Sequence, residues 1–276
     1  MENQESRYPE IASSLPTEDL RREFLARGLF QGGQALFRHW AVDRTVLGGI
    51  VPGEAGLSLP NPPELRAGFF HERRESGIVN IGGPGTVTVD GTAHRMQSHD
   101  ALYVGRDSRE VSFTSERAAE PARFWLLSYP AHARHPSRHV SFKEAPASSL
   151  GTVESANLRT LHKLIHPGAF PTCQVVMGVT LMAPGGVWNS MPPHTHLRRS
   201  EVYLYFGVKP GQAVFHFMGR PQATRHLMVH DLEAVLSPPW SIHCGVGTGP
   251  YGFVWGMGGE NQEFSDMDPL RPDELL

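Results

Sequence analysis

Short β-prone segments, separated by turn residues, follow one another along most of this 276-residue chain. They are clearest in the second half, where they read CQVVMGVTLMAP, SEVYLYF, QAVFHFMG, TRHLMVH, EAVLSP and YGFVWGMGG. The 29 glycines and 23 prolines favour turns over long helices. Many strands at close spacing are typical of β-sandwiches and barrels. The sequence therefore predicts an all-β protein with a few short helices.

Two segments predict helices, and a third predicts a linker. LPTEDLRREFLARGLF has Thr17 as a candidate N-cap, and Leu20, Phe24 and Leu25 share one face. A second short helix is predicted for ANLRTLHKLIH. The interval 131–147 is rich in Pro, Ser and His and is predicted to join two halves.

The two halves resemble each other. FFHERRESGIVNIGGPGTVTVDG and PPHTHLRRSEVYLYF both run from a histidine through Arg-Arg into a strand, and DALYVGRDSRE aligns with EAVLSPPWSIH. An ordered repeat of this kind indicates a duplicated barrel. Glu110 stands where the second half has His243, and the first half lacks a His-x-His motif. Residues 1–140 are therefore predicted to form a barrel without metal ligands, preceded by a short helix, and residues 141–276 a barrel that carries the site.

Charge and composition exclude several classes of partner. The net charge of −3 and the pI near 6.6 offer no basic surface for nucleic acid. No apolar run approaches the roughly 18 residues of a membrane helix, and the N-terminus does not resemble a secretory signal. Only two cysteines occur, which fits a reducing compartment. These features predict a cytoplasmic protein that acts on a small molecule.

The stretch PPHTHLRRSEVYLYF carries the strongest chemical signal. On a strand, His194 and His196 point to the same face and can bind one ion. Glu201 lies five residues after His196, an odd offset, so we expect a bulge or turn through 197–200 to bring it to that face. His243, in SPPWSIHCGVG, follows a Pro-Pro turn and is the fourth candidate ligand. Three imidazoles and a carboxylate suit zinc, iron, manganese or nickel.

These motifs resemble the two metal-binding motifs of cupins, although Trp240 stands where many cupins have glycine and no asparagine follows His243 at the usual interval. The chain is more closely similar to the 5-dehydro-4-deoxy-D-glucuronate isomerases (4-deoxy-L-threo-5-hexosulose-uronate ketol-isomerases) of pectin and uronate breakdown. The similar stretches cover about Arg21 to Asp268 and include FFHERRESGIVNIGGPGTVTVDG, DALYVGRDSREV, MPPHTHLRRSEVYLYF, TRHLMVHDLEAVLSPPWSIHCGVGT and WGMGGENQEFSDMD.

The resemblance implies a bicupin subunit, with two tandem jelly-roll-like β-barrels, in a homohexamer. It also implies one divalent metal ion per subunit, generally zinc. The residues that match the ligands of that ion are His194, His196, Glu201 and His243.

The activity implied by the resemblance is an aldose–ketose isomerisation, which converts 5-dehydro-4-deoxy-D-glucuronate to 3-deoxy-D-glycero-2,5-hexodiulosonate. A group must carry a proton from C2 to C1 of the substrate. Tyr203 shares the strand parity of Glu201 and should point inward, and the polar residues His226 and Glu260 lie in matching stretches. We therefore expect the catalytic residues among Tyr203, His226 and Glu260, without ranking them.

The substrate is an acidic sugar, so its carboxylate should meet a guanidinium. Arg198, Arg199 and Arg225 lie near the site in sequence, and Arg199 and Arg225 are the favoured candidates. Tyr205 lies two residues after Tyr203 and should also point inward. Arg199, Arg225 and Tyr205 are therefore the predicted substrate-binding residues.

Three other functions are compatible with these motifs. A 5-deoxy-glucuronate isomerase of inositol catabolism would share the fold, although ERRE and WGMGGENQ argue against it. A metal dioxygenase could use the same four ligands and would require oxygen. The third is a non-catalytic sugar-binding or regulatory cupin. A DNA-linked regulator should carry a basic helix-turn-helix segment, which the sequence does not show, and a storage-like bicupin would not need the metal ligands intact.

Overall fold

The structure is a computed structural model that describes residues 1–5, 7–263 and 265–276. Two short α-helices, α1 (Pro9–Ala12) and α2 (Thr17–Phe24), lie near the N-terminus. No helix in the described ranges is long and apolar enough to cross a membrane. Single 3-10 turns cover Val42–Arg44, Pro63–Leu65 and Pro272–Glu274.

Most of the regular structure is β, as predicted. In chain order, strands β1 to β12 are Glu2–Gln4, Leu25–Ala26, Gln34–Trp40, Thr45–Val51, Leu57–Ser58, Arg74–Asn80, Gly85–Val89, Thr92–Met96, Ala101–Val104, Val111–Ser115, Phe124–Pro130 and Arg138–Val140. Strands β13 to β24 are Ala147–Leu150, Arg159–Ile165, Val176–Met182, Trp188–Asn189, His194–Thr195, Arg199–Phe206, Val214–Arg220, Ala223–Val229, Ala234–Ser237, Cys244–Gly247, Gly252–Gly259 and Asp268–Pro269. The segment predicted as a linker therefore contains β12, which pairs with β9.

The chain forms two compact units, neither of which is continuous in sequence. The first comprises Met1–Gln4, Gly28–Pro146 and Lys163–Met177, and the second comprises Glu5–Arg27, Ala147–His162 and Gly178–Leu276. The predicted division after residue 140 differs from this arrangement. The N-terminal helix belongs to the second unit because β2, which follows it directly, pairs with β21.

The first unit contains a seven-stranded sheet, in the order β1-β3-β4-β11-β6-β9-β12, and a four-stranded sheet, in the order β5-β10-β7-β8. One core cluster joins side chains from both sheets, such as Ile78 and Phe124 from the larger and Val87 and Phe113 from the smaller. In β7 buried and half-buried residues alternate, as expected when one face of a strand covers a core. The unit is a jelly-roll-like β-sandwich.

The second unit repeats this plan. Its larger sheet has the order β13-β14-β15-β23-β18-β21-β2, its smaller sheet has the order β16-β22-β19-β20, and β17 pairs separately with β24. Strand β18 is bonded on both sides, to β23 from Arg199 to Phe206 and to β21 from Glu201 to Leu204. The predicted ligand strand therefore lies inside the sheet, where its side chains have fixed positions.

Both helix predictions need correction in detail. The helix predicted for ANLRTLHKLIH is wrong: the segment forms β14, and Leu150 to Ala147 of β13 pair with its first four residues. Ladder hydrogen bonds to a neighbouring strand outweigh a weak local helix preference. Helix α2 is confirmed, with Leu20 and Phe24 buried. Its predicted cap is wrong, since Pro16 occupies the N-cap position and Thr17 is already helical.

One buried histidine of the first unit makes stability depend on pH. The imidazole Nε2 of His71 lies 2.8 Å from Ser76 Oγ in the core. Burial, assisted by the positive charge of Arg74, lowers the pKa of His71 to about 3. The unfolded chain takes up this proton near pH 6.5, so the contribution of His71 to stability is complete above that pH. It is lost at about 1.4 kcal/mol per unit as the pH falls towards 3.

We therefore expect His71→Gln to flatten the pH dependence of unfolding. Between pH 7 and pH 5, the variant should lose roughly 2 kcal/mol less stability than the parent protein. Urea unfolding at both pH values measures the difference. His226→Gln, the same substitution at an exposed position, is the control. The same pH dependence in His71→Gln and in the parent protein would contradict this assignment.

Candidate functional site

Three imidazoles of the second unit converge on one point. His194 lies in β17, His196 follows that strand, and His243 directly precedes β22. The Nε2 atoms of His194 and His243 are 3.0 Å apart, and one nitrogen from each of the three rings lies within 4.8 Å of the others. Glu201 joins them, with Oε1 at 3.4 Å from His196 Nε2 and Oε2 at 3.1 Å from His243 Nε2. The structure thus brings together all four predicted ligands.

Two turns place these ligands. After His196 the chain turns at Leu197 and Arg198, and β18 begins at Arg199, so Glu201 reaches the face on which the imidazoles lie. The turn predicted between 197 and 200 is therefore confirmed. A second turn, closed by the Ser241 N–H donating to Pro238 O at 2.9 Å, precedes His243.

The far nitrogen of each imidazole has its own partner. Nδ1 lies 3.1 Å from Pro192 O in His194, 2.7 Å from Asp266 O in His196, and 3.2 Å from Ser237 Oγ in His243. A carbonyl oxygen only accepts, so Nδ1 carries the proton in His194 and His196, and Nε2 presents its lone pair to the centre. Outer hydrogen bonds of this kind orient imidazoles in metal sites.

The donor set fits a divalent cation. Within the described ranges, His196 Nε2 and Glu201 Oε2 are buried and make no well-aligned hydrogen bond. Burial lowers the pKa of both His194 and His243, so these rings are in the neutral form that binds metal. Burial opposes the ionisation of Glu201, but its interactions with His243 and His196 outweigh that effect and lower its pKa. Ligands about 2.1 Å from a tetrahedral ion are roughly 3.4 Å apart, similar to the separations found here.

A cavity of about 410 Å³ opens over this cluster. His194, His196 and Glu201 contribute to its lining, and the aromatic rings of Phe253 and Trp255 form apolar wall. A pocket with apolar walls and a few convergent polar groups is the usual form of a small-molecule site.

Tyr203 is the predicted catalytic residue that the structure brings to the cluster. It lines the cavity, its ring centroid lies 5.4 Å from that of His243, and its hydroxyl lies 3.2 Å from Ser190 Oγ. Burial and the neighbouring carboxylate of Glu201 raise the pKa of Tyr203 well above 10. The hydroxyl is therefore protonated at neutral pH and is available as a hydrogen-bond donor.

His226 and Glu260, the other predicted catalytic residues, lie elsewhere. In β20, Leu227 is buried opposite His216, so strand alternation turns His226 to the outer face, where it is exposed. Glu260 follows the last residue of β23, is exposed, and donates its backbone N–H to Arg198 O. Neither residue lines the cavity. These positions do not support the predicted proton transfer by His226 or Glu260.

Of the predicted substrate-binding residues, only Arg199 lines the cavity. Its guanidinium donates to Glu263 O, and Nη2 lies 3.2 Å from His196 Nδ1. Arg225 instead donates to Ser13 O at 2.8 Å and Leu15 O at 2.9 Å, so it holds the segment before α2.

Tyr205 points inward, as its parity predicted, but it does not line the cavity. Its hydroxyl lies 2.8 Å from His216 Nδ1 and 3.4 Å from Asn189 Nδ2. These contacts place Tyr205 in a buried polar network of the core, so the structure does not support the predicted contacts of Tyr205 or Arg225 with substrate.

Sequence reasoning missed several polar residues of the cavity wall, among them Arg159 on β14 and Thr180 on β15. Arg159 lies in the segment predicted as a helix. If this segment is read as a strand, Arg159 and Leu161 lie on the same face. Both residues do line the cavity.

The first unit has no matching cluster among its described residues. Glu75, an acidic residue near the start of β6, has its carboxylate oxygens occupied by hydrogen-bond donors. Glu75 accepts from the Tyr103 hydroxyl at 2.7 Å and from the N–H groups of Cys173, Gln174 and Val175 at 2.6 to 2.8 Å. This carboxylate therefore serves the packing of its own unit.

Comparison with known proteins assigns these features to one family. Residues 55–269 match the model of the KduI/IolB family. The chain is 46% identical over 273 residues to a 4-deoxy-L-threo-5-hexosulose-uronate ketol-isomerase of Yersinia enterocolitica, covering 98% of each chain. It is 47% identical over 277 residues to the enzyme of that name from Yersinia pseudotuberculosis, covering 100% of each.

Among solved structures, the chain is similar to an IolB-like protein from Salmonella typhimurium LT2. The TM-score is 0.70 at 14% identity, and the match covers 90% of this chain and 96% of the other. At this identity the likeness concerns the fold alone, and it agrees with the predicted all-β architecture of two jelly-roll-like halves, although the sheets form sandwiches and not closed barrels.

Proposed function

This chain belongs to the KduI/IolB family, and on that premise we propose that it is an aldose–ketose isomerase of pectin and uronate breakdown. Its proposed substrate is 5-dehydro-4-deoxy-D-glucuronate and its product 3-deoxy-D-glycero-2,5-hexodiulosonate. The observation that carries the proposal is the cluster of three imidazoles and Glu201 under an apolar-walled cavity. The full-length relatives named as ketol-isomerases support the choice of reaction.

We propose that this cluster holds one divalent metal ion, zinc, through His194, His196, Glu201 and His243. The convergent Nε2 atoms and the buried carboxylate support this assignment. When bound, the ion supplies Lewis-acid polarisation of adjacent substrate oxygens.

The reaction moves two hydrogens over one carbon–carbon bond. The C2 proton passes to C1, and the hydrogen of the C2 hydroxyl passes to the oxygen of C1, so atoms and electrons balance. The Tyr203 hydroxyl is protonated, and Tyr203 lines the cavity beside Glu201. The hydroxyl can therefore donate to the substrate oxygen that gains hydrogen. Phe253 and Trp255 give the same cavity an apolar wall.

The test is conversion of the keto-uronate under anaerobic conditions. We expect formation of the diketo product without oxygen, followed by NMR, at a rate typical of enzymes, about 1 to 10³ per second. Strict dependence on oxygen would point to a dioxygenase. Preferential turnover of 5-deoxy-glucuronate would point to the inositol pathway, and turnover of neither sugar would favour a binding protein. The homohexamer and the cytoplasmic location stay predictions.

A further inference from the structure

Two buried guanidiniums line the cavity, and their surroundings differ. Arg199 interacts with the carboxylates of Glu201 and Asp266, which compensate its charge. Arg159 has no such compensation: within the described ranges it is in no ion pair, and its electrostatic partners are the hydroxyl groups of Tyr203 and Tyr251. A buried charge without a counterion is costly, which makes Arg159 the cation of the cavity that most needs an anion.

The hydrogen bonds of Arg159 fix the position of its guanidinium and leave some of its N–H donors unused. The side chain is 7% exposed, Nη1 donates to Asn157 O at 2.8 Å, and Nη2 donates to Met191 O at 3.2 Å. These two bonds use only part of the five N–H donors of a guanidinium. Tyr203 and Tyr251 interact electrostatically with Arg159, so it lies on the same side of the unit as the catalytic tyrosine.

A second polar group of the cavity also lacks a partner. Thr180 Oγ1, on the strand next to that of Arg159, is buried and makes no hydrogen bond within the described ranges. Thr180 lines the same cavity as Arg159. An unpaired hydroxyl and an uncompensated cation that line one cavity are the arrangement expected where a carboxylate binds.

We propose that Arg159, assisted by the Thr180 hydroxyl, binds the substrate carboxylate and makes the enzyme selective for acidic sugars. This inference rests on the proposed function and adds the residue that recognises the end of the substrate opposite to the reacting carbons. Arg199 keeps a different role: its guanidinium donates to the backbone at Glu263 O and is compensated by the carboxylates of Glu201 and Asp266. Arg159 is thus a specificity-determining residue.

The experiment compares the substrate with its neutral methyl ester. In the parent protein, KM for the acid should lie well below KM for the ester. Arg159→Met should raise KM for the acid about 30-fold, the scale of a lost hydrogen bond to a charged group. KM for the ester and kcat for both should change less than about threefold. Thr180→Val, which keeps the shape of the side chain, should raise KM for the acid about fivefold.

Matched variants separate a loss of carboxylate binding from a general structural effect of removing an arginine. Arg199→Met removes the other guanidinium of the cavity and should lower kcat or metal content while the preference for the acid remains. Arg271→Met removes an exposed guanidinium of the same unit and should leave both constants unchanged. If Arg159→Met does not fold, Arg159→Lys and Thr180→Val carry the test, because the lysine variant keeps the charge and should lose only part of the preference.

The outcomes that overturn the inference are distinct from failure of the proposed function. An unchanged acid preference in Arg159→Met, or an equal loss for acid and ester, would overturn it, as would loss of the preference in Arg199→Met alone. If the parent protein isomerises neither compound, the proposed function fails. In that case calorimetry compares the binding of 5-oxohexanoate, a keto acid that cannot isomerise, with the binding of its methyl ester. If Arg159 binds the carboxylate, the parent protein should prefer the acid and Arg159→Met should lose that preference.

Discussion

Replacing His243 with alanine is expected to remove the bound metal and to lower turnover roughly 10³-fold while both units stay folded. His243 Nε2 lies within 3.1 Å of both His194 Nε2 and Glu201, so its loss opens one side of the cluster. Polarisation by a bound metal ion contributes several kcal/mol to a transition state, and each 1.36 kcal/mol corresponds to a tenfold change in rate. The strands around His243 keep their backbone ladders, so the sandwich should persist.

Elemental analysis after exhaustive dialysis measures the metal content of each variant. The turnover assay with added zinc then measures how much activity returns. The parent protein should gain thermal stability from zinc, because an ion that binds only the folded state adds about 2.7 kcal/mol at a hundredfold excess over Kd. His243→Ala should gain none. His226→Ala is the matched control, since it removes an exposed imidazole of the same unit and should retain both metal and turnover.

Full metal occupancy in His243→Ala would contradict the assignment of the ligands. Loss of turnover in His226→Ala, with metal retained, would restore the sequence-based prediction that His226 transfers a proton. The pair of variants therefore tests the cluster and the outer face of β20 in one experiment.

The ligands could be predicted from the sequence because their signal is local. His194, His196 and Glu201 lie within eight residues, and the only structural assumption was a turn that restores strand parity. Parity also placed Tyr203 correctly, since it lies on the same strand as Glu201 and two residues further on. His243 needed the second motif, and its distance from the others in sequence is bridged by pairing of β18 with β21.

The remaining site residues depended on information that is not local. The direction of His226 follows from the register between β19 and β20, and Arg225 is held by a segment more than two hundred residues away. Arg159 was missed because its segment was interpreted as a helix, a choice that pairing with β13 decides. Proximity in sequence to the ligands was a poor guide for arginines, because strand pairing, and not chain distance, determines which of them reach the cavity.

Replacing Tyr203 with phenylalanine is expected to lower kcat about 10²-fold with normal metal content and a nearly unchanged KM. Proton transfer by a positioned side chain contributes about 10² to 10⁴-fold. The Tyr203 hydroxyl is the protonated group on the cavity wall next to the ligand Glu201, and Ser190 Oγ at 3.2 Å holds its direction. Steady-state kinetics and elemental analysis of Tyr203→Phe measure the two quantities that separate a proton donor from a support of the metal.

Tyr205→Phe is the matched control, because it removes the same atom from the same face of the same strand. The Tyr205 hydroxyl contacts His216 and Asn189 in the core and not the cavity. Its removal should cost about 1 kcal/mol of stability and change kcat less than about threefold. Equal losses of kcat in Tyr203→Phe and Tyr205→Phe would show that both hydroxyls act through packing. A normal kcat in Tyr203→Phe would exclude the Tyr203 hydroxyl as the proton donor. A fall of kcat confined to Tyr203→Phe, with metal content retained, would identify the Tyr203 hydroxyl as the donor.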